Sequence, residues 1–178
     1  DELKLGNSRD RTHRICALHL DIEIDGWPQG HDWEGLCQQA HSALLNSEPA
    51  LASERLMTSV LFTTDSQVHD LNREWRGKDK PTNVLSFPML EREDLLALQA
   101  DGPPEMLGDI ALAFETCERE AKEKGVSLPD HTAHLLVHGF LHLAGHDHVD
   151  SDIQAAAMEK LEIEALAKLG IADPYGDR

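Results

Sequence analysis

Long apolar runs are missing from this chain. Nowhere does it hold the ~18 or more consecutive apolar residues that a membrane-spanning helix needs. Cysteine is scarce as well: Cys16, Cys37 and Cys117 lie far apart, with no Cys-x-x-Cys pair. An odd, scattered set excludes a disulfide framework and suits a reducing compartment, and the three read as small buried apolar side chains. Aromatic residues make up only 4%, yet 40% hydrophobic residues suffice for an ordinary core. The third shortage is basic charge. Sixteen Lys and Arg face 33 Asp and Glu, a formal net charge of −17. Non-specific nucleic-acid binding is mostly phosphate neutralisation by Lys and Arg, so a generic nucleic-acid coat is excluded. Any nucleic-acid role requires a local basic patch on an acidic body. Internal repeats and low-complexity blocks are absent.

At 178 residues the chain fits one domain, 1–178, with the polar, mixed-charge residues 1–13 as a loose N-terminal arm. Alternation and β-branching predict strands over 15–24, 55–63, 82–87 (stopped by Pro88) and 110–114. Helical spacing predicts helices over 33–45, from the Thr64 cap to Gly77, over 115–124, from Ser127 to Gly145 and from Ser151 to Gly170. Residues 89–106, acidic and containing Gly102, Pro103 and Pro104, read as a long flexible loop. Interleaved strands and helices give an α+β fold: one small mixed β-sheet of about four strands packed against several helices.

The densest chemistry lies in His138-Gly-Phe-Leu-His142-Leu-Ala-Gly145-His-Asp-His148. Residues i and i+4 of a helix share a face about 5–6 Å apart, close enough for two imidazoles to hold one metal ion. Gly145 can take the left-handed conformation that ends a helix, so the next few residues can return a third ligand. Three protein ligands with one open position are the pattern of catalytic zinc. Chance gives one His-x3-His pair roughly 0.7 times in such a chain, but the full pattern with Gly at +7 and His at +10 only about 0.003 times. A metal site, one zinc per chain on a central helix, is therefore expected at His138, His142 and His148. His131 and His134 extend the same stripe and read as members of a buried row. The spacing also matches zinc peptidases, but their general-base Glu follows the first His, and here that position is Gly139.

Arg73, Arg76, Lys78 and Lys80 form the densest basic cluster. Taken alone, such a turn is more often simply solvated. Beside a hydrolytic metal it points to an anionic substrate, since Arg offers a planar fork of donors matched to phosphate. Asp109 is a candidate for shaping the site, and Asp147 for orienting a ligand imidazole.

Three blocks, RGKDKPTNVLSFP at 76–88, LGDI at 107–110 and HLLVHGFLHLAGHDH at 134–148, resemble the YbeY family of bacterial rRNA maturation factors. The resemblance covers roughly the C-terminal two-thirds of the chain. It implies zinc ligands at His138, His142 and His148, catalytic roles for Arg76 and His138, and a zinc-dependent endoribonuclease specific for single-stranded RNA. It further implies ribosomal RNA and the ribosome as partners, small-subunit rRNA 3′-end processing, ribosome quality control and a cytoplasmic location. His146 stands where the family usually carries an aromatic residue, and Trp75 where it often has Tyr. Two other readings are a peptidase-like metallohydrolase and a non-catalytic, zinc-containing ribosome-assembly factor.

Overall fold

A computed structural model describes residues 19–147 and 151–176, and among these described residues eleven elements follow one another. The expected arm at 1–13, Cys16 and the start of the first predicted strand lie outside the described residues, as does His148. Strands β1 (His19–Ile24), β2 (Leu56–Thr63), β3 (Val84–Pro88) and β4 (Glu105–Ala113) form one sheet in the order β1-β2-β4-β3. β1 runs parallel to β2 and β2 parallel to β4, while β3 pairs antiparallel to β4. The sheet is mixed and four-stranded, as expected.

Side-chain alternation divides the sheet into two faces. Leu56, Val60 and Phe62 of β2, with Ile110 and Leu112 of β4, enter the main core. There they meet α1 (Trp33–Leu44), α5 (Leu128–Leu143) and α6 (Asp152–Lys168). Ala111, Ala113 and Leu85 face the other way and pack under Val68 of α2 (Asp65–Arg76). The pairing of β2 with β4 skips Leu107, because Met57 opposes Met106 and Thr58 opposes Gly108. This bulge adds one residue to β4 and lets Leu107 join Ile110 in the main core.

Local signals set most helix boundaries. The Thr64 hydroxyl accepts from the Gln67 amide, and α2 ends at Gly77 in the left-handed region. The Ser127 and Ser151 hydroxyls cap α5 and α6 by accepting from the amides of Asp130 and Gln154. α4 (Phe114–Lys124) ends at Gly125. The stretch 89–106 departs from expectation: it carries the short helix α3 (Arg92–Leu96), and β4 begins at Glu105, not 110. Gly102, Pro103, Pro104 and Gly108 mimic a loop in local sequence. β4, however, is hydrogen-bonded on both edges, and the bulge absorbs Gly108. A 3-10 turn at Pro49–Ala52 was also unforeseen. Among the described residues, no helix is long and apolar enough to cross a membrane. Cys37 and Cys117 are buried free thiols, and burial pushes both well above the usual thiol range.

Candidate metal centre and cleft

α5 is apolar on almost every side, and eleven of its sixteen residues are buried. Such a helix must be central, and its histidines then need partners. His131 Nε2 lies 2.7 Å from Glu120 Oε2. Burial pushes its imidazole below the usual range, partly offset by that Glu120 bond. One turn on, His134 Nε2 lies 3.1 Å from the Tyr175 hydroxyl and 3.4 Å from Glu162 Oε2. These two are the buried row expected of them.

His138 and His142 differ. Half-buried, they point their Nε2 atoms at one another across 2.9 Å, rings nearly perpendicular. The Nδ1–H of His138 donates to Glu162 Oε1, which assigns the lone pair to its Nε2. Two imidazole nitrogens so close need a proton or a cation between them. The donor set therefore fits zinc: two ring nitrogens converge on one point, one of the rings backed by a carboxylate. Glu162 is 1% exposed and bonded to His134, His138 and the Tyr175 hydroxyl. Burial pushes its carboxyl up, but the hydrogen bonds from His134, His138 and Tyr175 outweigh it and hold the group at about 2. Among the described residues there is no group of three metal-competent side chains, His148 lying outside them.

His146 does not turn to this pair through its Nε2, which lies 2.6 Å from Glu48 Oε2. Glu48, 4% exposed, is also met by Arg92 Nη2 at 3.3 Å. Arg92 Nη1 in turn donates to the Ala144 carbonyl at 2.6 Å, one of the open carbonyls at the end of α5. Gly145 follows with φ +95°, and a Cβ there would lie 2.6 Å from Arg92 Cβ. Glycine is thus required twice over, for its conformation and for the approach of Arg92.

The imidazole pair opens into a cleft of about 940 Å³ lined also by Arg76, Lys78, Ser86, Pro88, His146 and Asp147. Arg76 is the last residue of α2, and Gly77 turns the chain so that Lys78 follows it along the rim. Arg76, His138 and His142, up to 66 residues apart in sequence, therefore face the same space. Of the other basic residues, Arg73 pairs with Asp70 at 2.9 Å. Asp109 lies on the opposite sheet face, in a separate hollow of about 450 Å³ with Asp21, Glu23 and the 73%-exposed Trp75. It does not shape the cleft, because alternation along β4 turns Asp109 away from its neighbour Ile110 and from α5.

A Cβ at Gly139 would meet Ile110 side-chain atoms at 3.0–3.4 Å. A glutamate there would run into β4, away from the cleft, which counts against the peptidase reading. The sequence reading missed Glu162, Glu48, Arg92 and Tyr175. One signal was available: Glu162 sits in line with Met158, Ala165 and Leu166, and an acid in an apolar helix stripe demands a partner.

Comparisons with known proteins bear on the family and the fold. Residues 24–170 match the family model described as Endoribonuclease YbeY. An Endoribonuclease YbeY of Erythrobacter litoralis is 70% identical over 161 residues, covering 90% of this chain and 99% of that protein. Another from Novosphingobium aromaticivorans is 54% identical over 163 residues, 90% of this chain and 98% of its own. The solution structure of TM1509 from Thermotoga maritima, 22% identical, superposes with a TM-score of 0.53 over 85% of this chain and 91% of that one, a likeness of fold. With the fold, the histidine pair and the three sequence blocks all in agreement, this chain belongs to the YbeY endoribonuclease family.

Proposed function

We propose that this chain is a zinc-dependent endoribonuclease that cuts single-stranded RNA during ribosomal RNA maturation, in the cytoplasm. One observation carries the reading: Arg76 and the converging Nε2 atoms of His138 and His142 line the same cleft. The relatives, each an Endoribonuclease YbeY, supply the reaction class. His138 and His142 would hold the metal, with His148 as the third ligand from the sequence spacing. Zinc bound there supplies Lewis acidity and a water of lowered pKa.

The protein's own groups then position the substrate. Arg76 offers a fork of N–H donors to the non-bridging phosphate oxygens and stabilises charge that grows on them in the transition state. Lys78 adds a second cation on the same wall. Glu162 holds His138 through its Nδ1–H and leaves its Nε2 facing that of His142, where a metal would be held. The chain as a whole is acidic, with a formal net charge of −17, which disfavours tracking of a long duplex backbone. A single flexible strand can bring one phosphate to the cleft.

The test compares wild type, Arg76→Ala and Arg76→Lys on matched single-stranded RNA, duplex RNA and unfolded protein. Arg76→Ala should cut single-stranded RNA roughly 10²-fold more slowly, the scale of losing one oxyanion donor, with unchanged zinc content and melting temperature. Lysine should rescue only in part, because an ammonium cannot reproduce a two-pronged contact. Undiminished cleavage by Arg76→Ala removes Arg76 from the mechanism. Proteolysis without RNA cleavage overturns the nuclease assignment.

A further inference from the structure

The family match ends at residue 170, and the segment beyond it reaches back to His134 and Glu162, behind the histidine pair. Gly170, with φ +74°, turns the chain out of α6, and the Ile171 amide donates to the Leu166 carbonyl. Ile171 packs against the main core. A tight turn comes next, in which the Tyr175 amide donates to Asp173 Oδ1 at 2.7 Å. These contacts carry the Tyr175 ring edge-on to His134, centroids 5.4 Å apart, and its hydroxyl donates to Glu162 Oε2. The other oxygen of the same carboxylate, Oε1, receives the Nδ1–H of His138.

We propose that Tyr175 is a positioning residue of the metal centre, acting through Glu162 to fix the orientation of His138. A carboxylate on a two-carbon stem can rotate about its last bond, and a single contact to His138 would leave that rotation free. Tyr175 and His134 together tie down Oε2, so Oε1 stays aimed at Nδ1. The imidazole then holds one tautomer and presents its Nε2 lone pair without further ordering. A carboxylate partner also raises the basicity of a ligating imidazole, and loss of such a partner typically weakens metal binding 10–100-fold. This rests on the zinc reading of His138 and His142, and it gives the segment after α6 a role at the site that its distance in sequence hides.

The experiment is zinc titration against a chromophoric chelator, on the full chain stripped of metal. Wild type, Tyr175→Phe, Glu162→Gln and the double variant are compared, with melting temperatures of the metal-free forms. Glu162→Gln should weaken zinc binding about 10–100-fold. Tyr175→Phe should weaken it several-fold while the metal-free protein melts within a few degrees of wild type. The double variant should bind no more weakly than Glu162→Gln alone, as the proposed route from Tyr175 to the metal site runs through that carboxylate. Wild-type affinity in Tyr175→Phe, or losses that multiply in the double variant, overturns the proposal while zinc binding by the wild type stands. A wild type that binds no zinc overturns both. Lowered melting of Tyr175→Phe with unchanged zinc affinity reduces the tyrosine to a fold contact and also overturns it.

Discussion

Under the proposed zinc reading, single imidazoles set whether the metal is kept. Two remaining ligands rarely hold zinc in a catalytic site, so His138→Ala and His142→Ala should each lose most of about one zinc per chain, measured by metal analysis. The neighbouring pair His146 and His148 should split. His146 commits its Nε2 to Glu48 at 2.6 Å, so His146→Ala should keep its zinc. His148→Ala, by the +10 spacing, should empty the site. Retention by His148→Ala with loss by His146→Ala would shift the third ligand two residues upstream. The His-x3-His pair was legible from sequence because helical periodicity alone places i and i+4 together. Glu48 was not, because 98 residues separate it from His146 and only packing joins them.

Helix ends are the next scale, and there the same residue type plays unequal parts. Gly77 ends α2 at φ +66° with open space around a would-be Cβ, whereas Gly145 follows α5 at φ +95° against Arg92. Alanine at 77 should cost only the backbone penalty, about 1 kcal/mol. Alanine at 145 adds a collision with Arg92, whose guanidinium caps Ala144 and meets Glu48, so the loss should reach about 2–4 kcal/mol. Thermal melts of the two variants test this, and equal losses would show that Arg92 yields freely. The ends of α2, α4, α5 and α6 were readable because caps and glycines act within one turn. The start of β4 was not. Its hydrogen bonds go to β2 and β3, and nothing within 89–106 announces those partners.

For the molecule as a whole, buried histidines tie stability to pH. Burial pushes His41 below its ordinary 6.5, partly offset by its bond to the Leu51 carbonyl, and His131 shifts the same way. The folded protein keeps these rings neutral while the unfolded chain protonates them near pH 6.5, so below that value the unfolded state binds more protons. Their contribution is therefore intact above about pH 6.5 and is lost as the pH falls toward the lowered folded-state values. Each ring contributes a slope of at most ~1.4 kcal/mol per pH unit. The urea midpoint of metal-free protein should drop between about pH 7.5 and 5.5, and His41→Gln should flatten that decline. The glutamine amide can still donate to Leu51, but it does not titrate. An unchanged slope in His41→Gln would show that other groups govern the acid limb.

The sequence by itself determined the class of fold, most helix boundaries and the imidazole pair, because periodicity, capping and i, i+4 spacing are properties of a few neighbouring residues. It also marked Arg76 as a cation beside a glycine turn. Only the tertiary structure brought Arg76 into the cleft of His138 and His142, sent Asp109 to the far face and set Glu162, Tyr175 and Glu48 behind the histidines. Strand order and helix packing fix those distances. They depend on which apolar faces can be buried together, which no local stretch of the chain records.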